Sequence, residues 1–187
     1  MSVEEIKFSK LLPVDKITVA TSSYNITASA DDCISITERL EVLSVQKFEA
    51  RLKVKKVPEL KAILIEGRVK AKVEQACTLS GQPISEKINE TFQSYFVASA
   101  ENLEKLEQND PAFLDEDVEV IEGDNIDVAE LVTQYLSLFL NPYPRKTDLD
   151  ISSLNKKGLT LKTEEEMEED MRKAKNPFQQ LKSLKTD

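Results

Sequence analysis

The stretch Gly123 to Lys146, GDNIDVAELVTQYLSLFLNPYPRK, constrains the fold most, because it alone is long and apolar enough to sit at the centre of a domain. Asp127 offers a carboxylate to the orphan N–H groups of a first helical turn, and Glu130, three residues on, completes a capping-box-like pattern at the positive end of the helix dipole. The spacing therefore predicts a helix over about 127–140. Val128, Leu131, Val132, Tyr135, Leu136 and Phe139 recur every three or four residues and form its core face. Leu138 and Leu140 make the last turn apolar nearly all round, so that end is expected to be buried. Asn141, Pro142 and Pro144 stop the helix, since proline lacks the N–H and clashes with the turn before it, and PYPRK leaves as an extended basic exit.

Elements on either side can be placed against this helix. Lys16–Thr21 and Tyr24–Ala28 read as short strands around a Thr-Ser-Ser turn. Ser29, with Asp31 and Asp32 behind it, caps a helix over about 30–43 whose apolar stripe is Cys33, Ile36 and Leu40. From Val45 the period changes to two: charged residues alternate with apolar ones over Glu49–Val57 and Ala62–Val73, as on half-buried strands. The short connection at Pro58 and Glu59 predicts a hairpin with Arg51 opposite roughly Arg68 to Lys70. Ile84, Ile88, Phe92 and Phe96 fit a further strand after the Ser80–Pro83 turn, and Val118–Ile121 fits a short returning one.

The fold class expected is α+β: an antiparallel, partly barrel-like sheet packed on the helix at about 127–140 and on the N-terminal helix at about 30–43. Residues 1–146 form one domain, with 101–117 a mobile acidic insertion. Residues 147–187 are a polar acidic tail, disordered from Leu159 onward because its block EEEMEED has too little apolar area to offset the cost of ordering. The tail ends in NPFQQLKSLK, where Phe178, Leu181 and Leu184 follow a helix-compatible Asn-Pro start.

Composition narrows the function. The chain has no histidine, so it has no Ser-His-Asp or Cys-His pair, no imidazole base and no His-ligated metal. Four scattered glycines leave no phosphate-cradling loop. Carboxylates such as Asp115, Glu116 and Asp117 could in principle act as acid and base, but acids in a polar insertion are usually solvated, and a working general acid needs burial. No enzyme, cofactor, metal or small-molecule substrate is expected. The absence of a long apolar run or signal peptide points to the cytoplasm rather than a membrane. Cys33 and Cys77 then read as two reduced thiols, Cys33 packed in the core.

The net charge of −9 is unevenly spread. Residues 1–100 hold 14 Lys+Arg and 13 Asp+Glu, a balance of +1, whereas 101–187 hold 11 and 21, a balance of −10. Between Arg51 and Lys72 eight basic residues meet only Glu59 and Glu66, a local balance of +6. Arg51, Lys53, Lys55, Arg68, Lys70 and Lys72 are the candidate RNA-contacting residues, on a face that could equally be a solvated one kept soluble by lysine. No aromatic lies in those two rows to stack a base, so they would hold backbone without reading sequence.

Three blocks, QACTLSGQPISEKINETFQSYFV, EGDNIDVAELVTQYLSLFLNPYPRK and the terminal NPFQQLKSLK, resemble in order and spacing the large ribosomal RNA subunit accumulation family, the YceD proteins of bacteria. The resemblance implies a non-enzymatic ribosome-biogenesis factor that supports accumulation of large-subunit (23S) rRNA. Many relatives carry a C-x-x-C near Cys77 and a second cysteine pair after the central helix, a spacing suited to zinc. Here Ser80 stands three residues after Cys77 and NPYPRK has no cysteine, so the Ser80-Gly81 turn takes the place of a metal knuckle and packing alone is expected to hold the hairpin.

Two partners fit this role. The basic hairpin could contact large-subunit rRNA, or the acidic half could shield a basic large-subunit ribosomal protein as an anionic mimic of RNA; the larger charge excess is negative, which tilts the sequence towards a protein as first contact. A structural adaptor docking through Asn176, Pro177, Phe178, Leu181 and Leu184 is the alternative from another class.

Overall fold

A computed structural model of the chain describes residues 8–109, 113, 117–146 and 164–174. Its elements in chain order are β1 (Leu11–Pro13), β2 (Ser22–Thr27), α1 (Ala30–Arg39), β3 (Ser44–Val57), β4 (Ala62–Ala76), β5 (Pro83–Val97), α2 (Ala100–Asn109), β6 (Val118–Val120), β7 (Asn125–Asp127), α3 (Val128–Phe139) and α4 (Glu164–Ala174). Short 3-10 turns follow β1 and β3. The main sheet has the order β2-β3-β4-β5-β6, and β1 pairs separately with β7.

The fold is mixed α+β, and the sheet is open. β2 and β6 form its two edges and do not pair with each other, so the partly barrel-like closure expected from sequence does not occur. Nor is the sheet wholly antiparallel. Where an acidic insertion was expected, α2 crosses over from the end of β5, and the chain returns in the same direction to lay β6 parallel to β5, Tyr95 opposite Val118. Leu106 of α2 is buried, and Lys105 reaches back to Glu101 at 2.5 Å.

The β3–β4 hairpin turns as predicted at Pro58–Leu60, with Lys61 in the left-handed region at φ 51°. Its long arms pair Arg51 with Arg68 and Lys53 with Glu66. One extra residue, Gln46, bulges from β3 between Val45 and Lys47, which lets Val45 and Phe48 both face inward against Val73 and Ala71. Phe48, Leu52, Val54, Ile65, Val69 and Val73 make the buried face, each 1% exposed or less. β5 pairs with β4 along its whole length, so the strand reading of Pro83–Val97 holds.

α3 lies across this buried face against β4 and β5. Asp127 caps it, accepting from the N–H groups of Ala129 and Glu130 at 3.0 and 3.1 Å. The capping box is not closed by Glu130, which instead forms a two-pronged pair with Arg39 of α1. The second box, at α1, is closed: Ser29 and Asp32 satisfy each other's backbone N–H. Leu131, Val132, Tyr135 and Leu136 are buried and Phe139 is half-buried against the core.

Other expectations are corrected. Leu138 is 73% exposed, because no described element covers that side of the last turn of α3. α1 stops at Arg39 rather than Leu43, since Glu41 takes a left-handed φ of 52° that ends the helix. Lys16–Thr21 is not a strand: after the 3-10 turn Val14–Lys16 only Ile17 is buried, while Leu11–Pro13 pairs with β7 instead. Of the tail, residues 164–174 are described and form α4; Met167 and Met171 on it are exposed, and Arg172 reaches Glu168 at 3.6 Å, one turn back.

Candidate nucleic-acid interface

Strand alternation sends every second residue of β2 to β5 to the face opposite α3, and the register stacks them into rows across the strands. Asn25, Arg51, Arg68 and Thr91 form one row, and Ser23, Lys53, Glu66 and Gln93 the next towards the hairpin turn. In the other direction come Thr27, Glu49, Lys70 and Asn89, then Lys47, Lys72 and Lys87. Arg51, Lys53, Arg68, Lys70 and Lys72 are exposed on this face, and Lys55 is half-buried near the turn. The structure thus brings all six candidate residues to one surface.

It adds two cations that sequence reasoning missed. Lys47 and Lys87 flank Lys72, one on each neighbouring strand, and make a row that is basic from end to end. Across these four rows seven cations (Lys47, Arg51, Lys53, Arg68, Lys70, Lys72, Lys87) meet two carboxylates, Glu49 and Glu66. Lys47 is paired with Glu49 at 3.3 Å; Arg51 and Arg68, directly opposite one another, form no ion pair among the described residues. Like charges in that position repel, so an anion placed between them would relieve the repulsion.

The rows of Arg51–Arg68 and Lys53–Glu66 border an open trough of about 670 Å³ across four strands. Its floor is the backbone of the row between them, Tyr24, Leu52, Gly67 and Phe92. Gly67 shapes this region from beneath. A Cβ there would lie 2.1 Å from Cε1 of Phe92, whose ring covers the glycine on the buried side and stacks on Tyr135 at 3.8 Å. Burial, then the Asp117 carboxylate that accepts a hydrogen bond from it, pushes the Tyr135 phenol well above its ordinary pKa, so it is a neutral donor in the core. Asp117 is therefore engaged in packing; Asp115 and Glu116 lie outside the described residues.

A second constellation joins the β4–β5 turn to the exit after α3. Thr78 donates its N–H to Pro144 O at 2.9 Å and its hydroxyl to the same oxygen, Gln75 reaches Asn141 O at 3.0 Å, and Lys146 reaches Gln82 at 3.2 Å. Hydrogen bonds, not packing alone, clasp this hairpin. Cys77 is buried at the centre of the turn, and the Ser80 hydroxyl with the backbone N–H groups of Lys146, Ser80 and Leu79 lowers its thiol to about 6. Cys33 is the opposite case: burial and then Asp32 raise its thiol. Neither cysteine is in a disulfide. Among the described residues no three His, Cys, Asp or Glu side chains gather as a metal site would require.

On the acidic side, Glu168, Glu169 and Asp170 are exposed on α4. The docking candidates Asn176, Pro177, Phe178, Leu181 and Leu184 lie outside the described residues. No helix among the described residues is long and apolar enough to cross a membrane.

The model of the family described as large ribosomal RNA subunit accumulation protein YceD matches residues 65–185, which is 121 of the 187 residues. No curated protein and no solved structure matches. The matched stretch includes Arg68, Lys70, Lys72 and Lys87 of the cationic face.

Proposed function

Because this chain belongs to the large ribosomal RNA subunit accumulation (YceD) family, we propose that it is a non-enzymatic, cytoplasmic ribosome-biogenesis factor that supports synthesis, processing or accumulation of 23S rRNA by holding rRNA on the outer face of its sheet. The observation that carries this reading is Arg51 directly opposite Arg68, without an ion pair among the described residues and between flanking basic residues, a surface with an excess of donors for phosphate. Contacts of this kind position an RNA without reading its bases.

The test is made in cells lacking the protein, by comparing the ratio of large- to small-subunit rRNA after restoring either the native chain or a variant. Replacing Arg51, Lys53, Arg68 and Lys70 with Gln is expected to leave the large-subunit rRNA low. A second reading rests on the exposed acids of α4, which suit a basic ribosomal protein. If Glu164, Glu165, Glu166, Glu168 and Glu169 changed to Gln fail to restore the ratio while the sheet variant succeeds, the acidic half is the working surface. If both variants restore it, deletion of Asn176 to Asp187 tests the adaptor reading.

A further inference from the structure

Resting on the RNA reading, we propose that the outer face of the sheet receives double-helical RNA, gripping the sugar–phosphate backbones on either side of a groove, rather than an unpaired strand. Three features of the face carry this.

The first is its lack of a stacking platform. Proteins that hold unpaired nucleic acid combine a cationic groove with exposed aromatic rings on which bases stack. Along the four rows no aromatic side chain is exposed. Tyr95, nearest the hairpin turn, is half-buried with its ring edge-on to Phe113 at 5.1 Å and its hydroxyl bonded by Gln93 at 2.9 Å. Unstacked bases would find only charged and short polar side chains.

The second is the spacing of the charge. The cations do not run as one line. They spread over β3, β4 and β5 in two bands, Lys47–Lys72–Lys87 and Arg51–Arg68, joined by Lys70, which stands beside Glu49 in the row between them. Lys72 and Arg68 are four residues apart on β4, a separation of about 13 Å at strand rise. One extended strand laid along Arg68, Lys70 and Lys72 of β4 leaves Arg51, Lys47 and Lys87 on the neighbouring strands, about 5 Å to its sides. A duplex presents two phosphate ridges with a groove between, so each band meets a ridge, and Lys70 with the Lys47-paired Glu49 lies under the groove.

The third is what lines the Arg51–Arg68 band. Asn25 and Thr91 end that row on the outer strands, uncharged and exposed. A-form RNA displays 2′-hydroxyls, donors and acceptors both, along its wide, shallow minor groove, and a shallow open trough edged by an amide and a hydroxyl matches them.

The experiment measures binding of the full chain to a fully paired RNA stem-loop, to an unpaired RNA of the same length, and to a DNA duplex of the stem sequence. The RNA stem is expected to bind tightest, with little change when the stem sequence is permuted. Arg51→Gln with Arg68→Gln should weaken stem binding and lower the slope of log affinity against log salt by about 2, one for each cation removed. The free double variant should melt at the same temperature or about 1–3 °C higher, because an opposed like-charge pair has gone, which separates lost binding from unfolding. Lys105→Gln on α2 should change neither quantity. Unpaired RNA binding as tightly as the stem overturns the helical assignment and leaves the RNA reading standing. Stem binding that survives both Arg51→Gln/Arg68→Gln and Lys72→Gln/Lys87→Gln overturns the placement on this face. Binding to none of the three probes overturns the RNA reading itself.

Discussion

Gly67→Ala should be among the most damaging single-methyl additions this chain can suffer. A Cβ at that position would sit 2.1 and 2.3 Å from Cε1 and Cζ of Phe92 and 2.9 Å from Cδ2 of Leu52. The nearest approach is about 1.4 Å inside the ~3.5 Å at which carbon atoms rest. Phe92 has little room to withdraw, because its other face lies on Tyr135, whose hydroxyl is held by Gln93 O and Asp117. Overpacking of this kind costs about 1–3 kcal/mol, and a backed ring places it near ~3. Alanine returns about 0.4–1 kcal/mol by restricting the unfolded chain. The net loss is ~2 kcal/mol, or about 4–8 °C in melting temperature for a chain of this size. Thermal and urea unfolding followed by circular dichroism would measure it, with the urea slope unchanged. Phe92→Leu removes the obstructing ring edge, so Gly67→Ala/Phe92→Leu should lose less than the two single changes summed. Additive losses, or a Gly67→Ala protein melting with the parent, would refute the reasoning.

Asp127→Ala should cost about 1–2 kcal/mol by urea unfolding, since the residue caps α3 and also accepts from Lys10 N–H at 2.9 Å and Ser9 Oγ at 2.5 Å, tying β1 to β7. Burial alone would raise its carboxyl, but the bonds from Ser9, Lys10, Glu130 and Ala129 outweigh that and lower it; its stabilisation is thus present above the ordinary carboxylate range and lost as pH falls through the folded value, so Asp127→Asn should flatten the acid side of the stability curve. Leu136→Glu should unfold the domain, losing over about 4 kcal/mol by burying a charge at a fully buried site, seen as collapse of amide dispersion. Thiolate absorbance should titrate in two steps, Cys77 at about 6 and Cys33 above the ordinary thiol, and Ser80→Ala should move only the lower step upward; a single step at the ordinary value would contradict the clasp around Cys77.

The hairpin was readable because both arms keep period two and Pro58 leaves one short way to turn; pairing Arg51 with Arg68 follows from that count. Lys47 escaped because the bulge at Gln46 breaks the period, and Lys87 because its segment also fits helical spacing until its pairing partner is known. α2 was hidden by its acids, although Leu103 and Leu106 stand at helical spacing in NLEKLEQ and could have revealed it. Leu138 shows the reverse error: local apolarity cannot say whether a neighbour exists to cover it. That β6 runs parallel to β5 follows from the α2 crossover and from no single residue of β6.

Stability and charge are separated by the width of one strand. The inward residues of β3 and β4 hold the core, and the outward ones can change sign with little effect on folding, so the face is free to be shaped by its ligand. That freedom operates under a constraint set by the rest of the chain. A net charge of −9 does not draw RNA from a distance, because repulsion acts wherever separation is within a few Debye lengths, about 8 Å each at physiological salt. Only a ligand able to make several phosphate contacts at once on the sheet face can overcome it. An isolated phosphate, meeting one or two cations, gains too few. On the proposed reading, a structured RNA that fills both cationic bands together would gain enough, and the acidic remainder of the chain would act as a filter that sharpens selection for the rigid ligand.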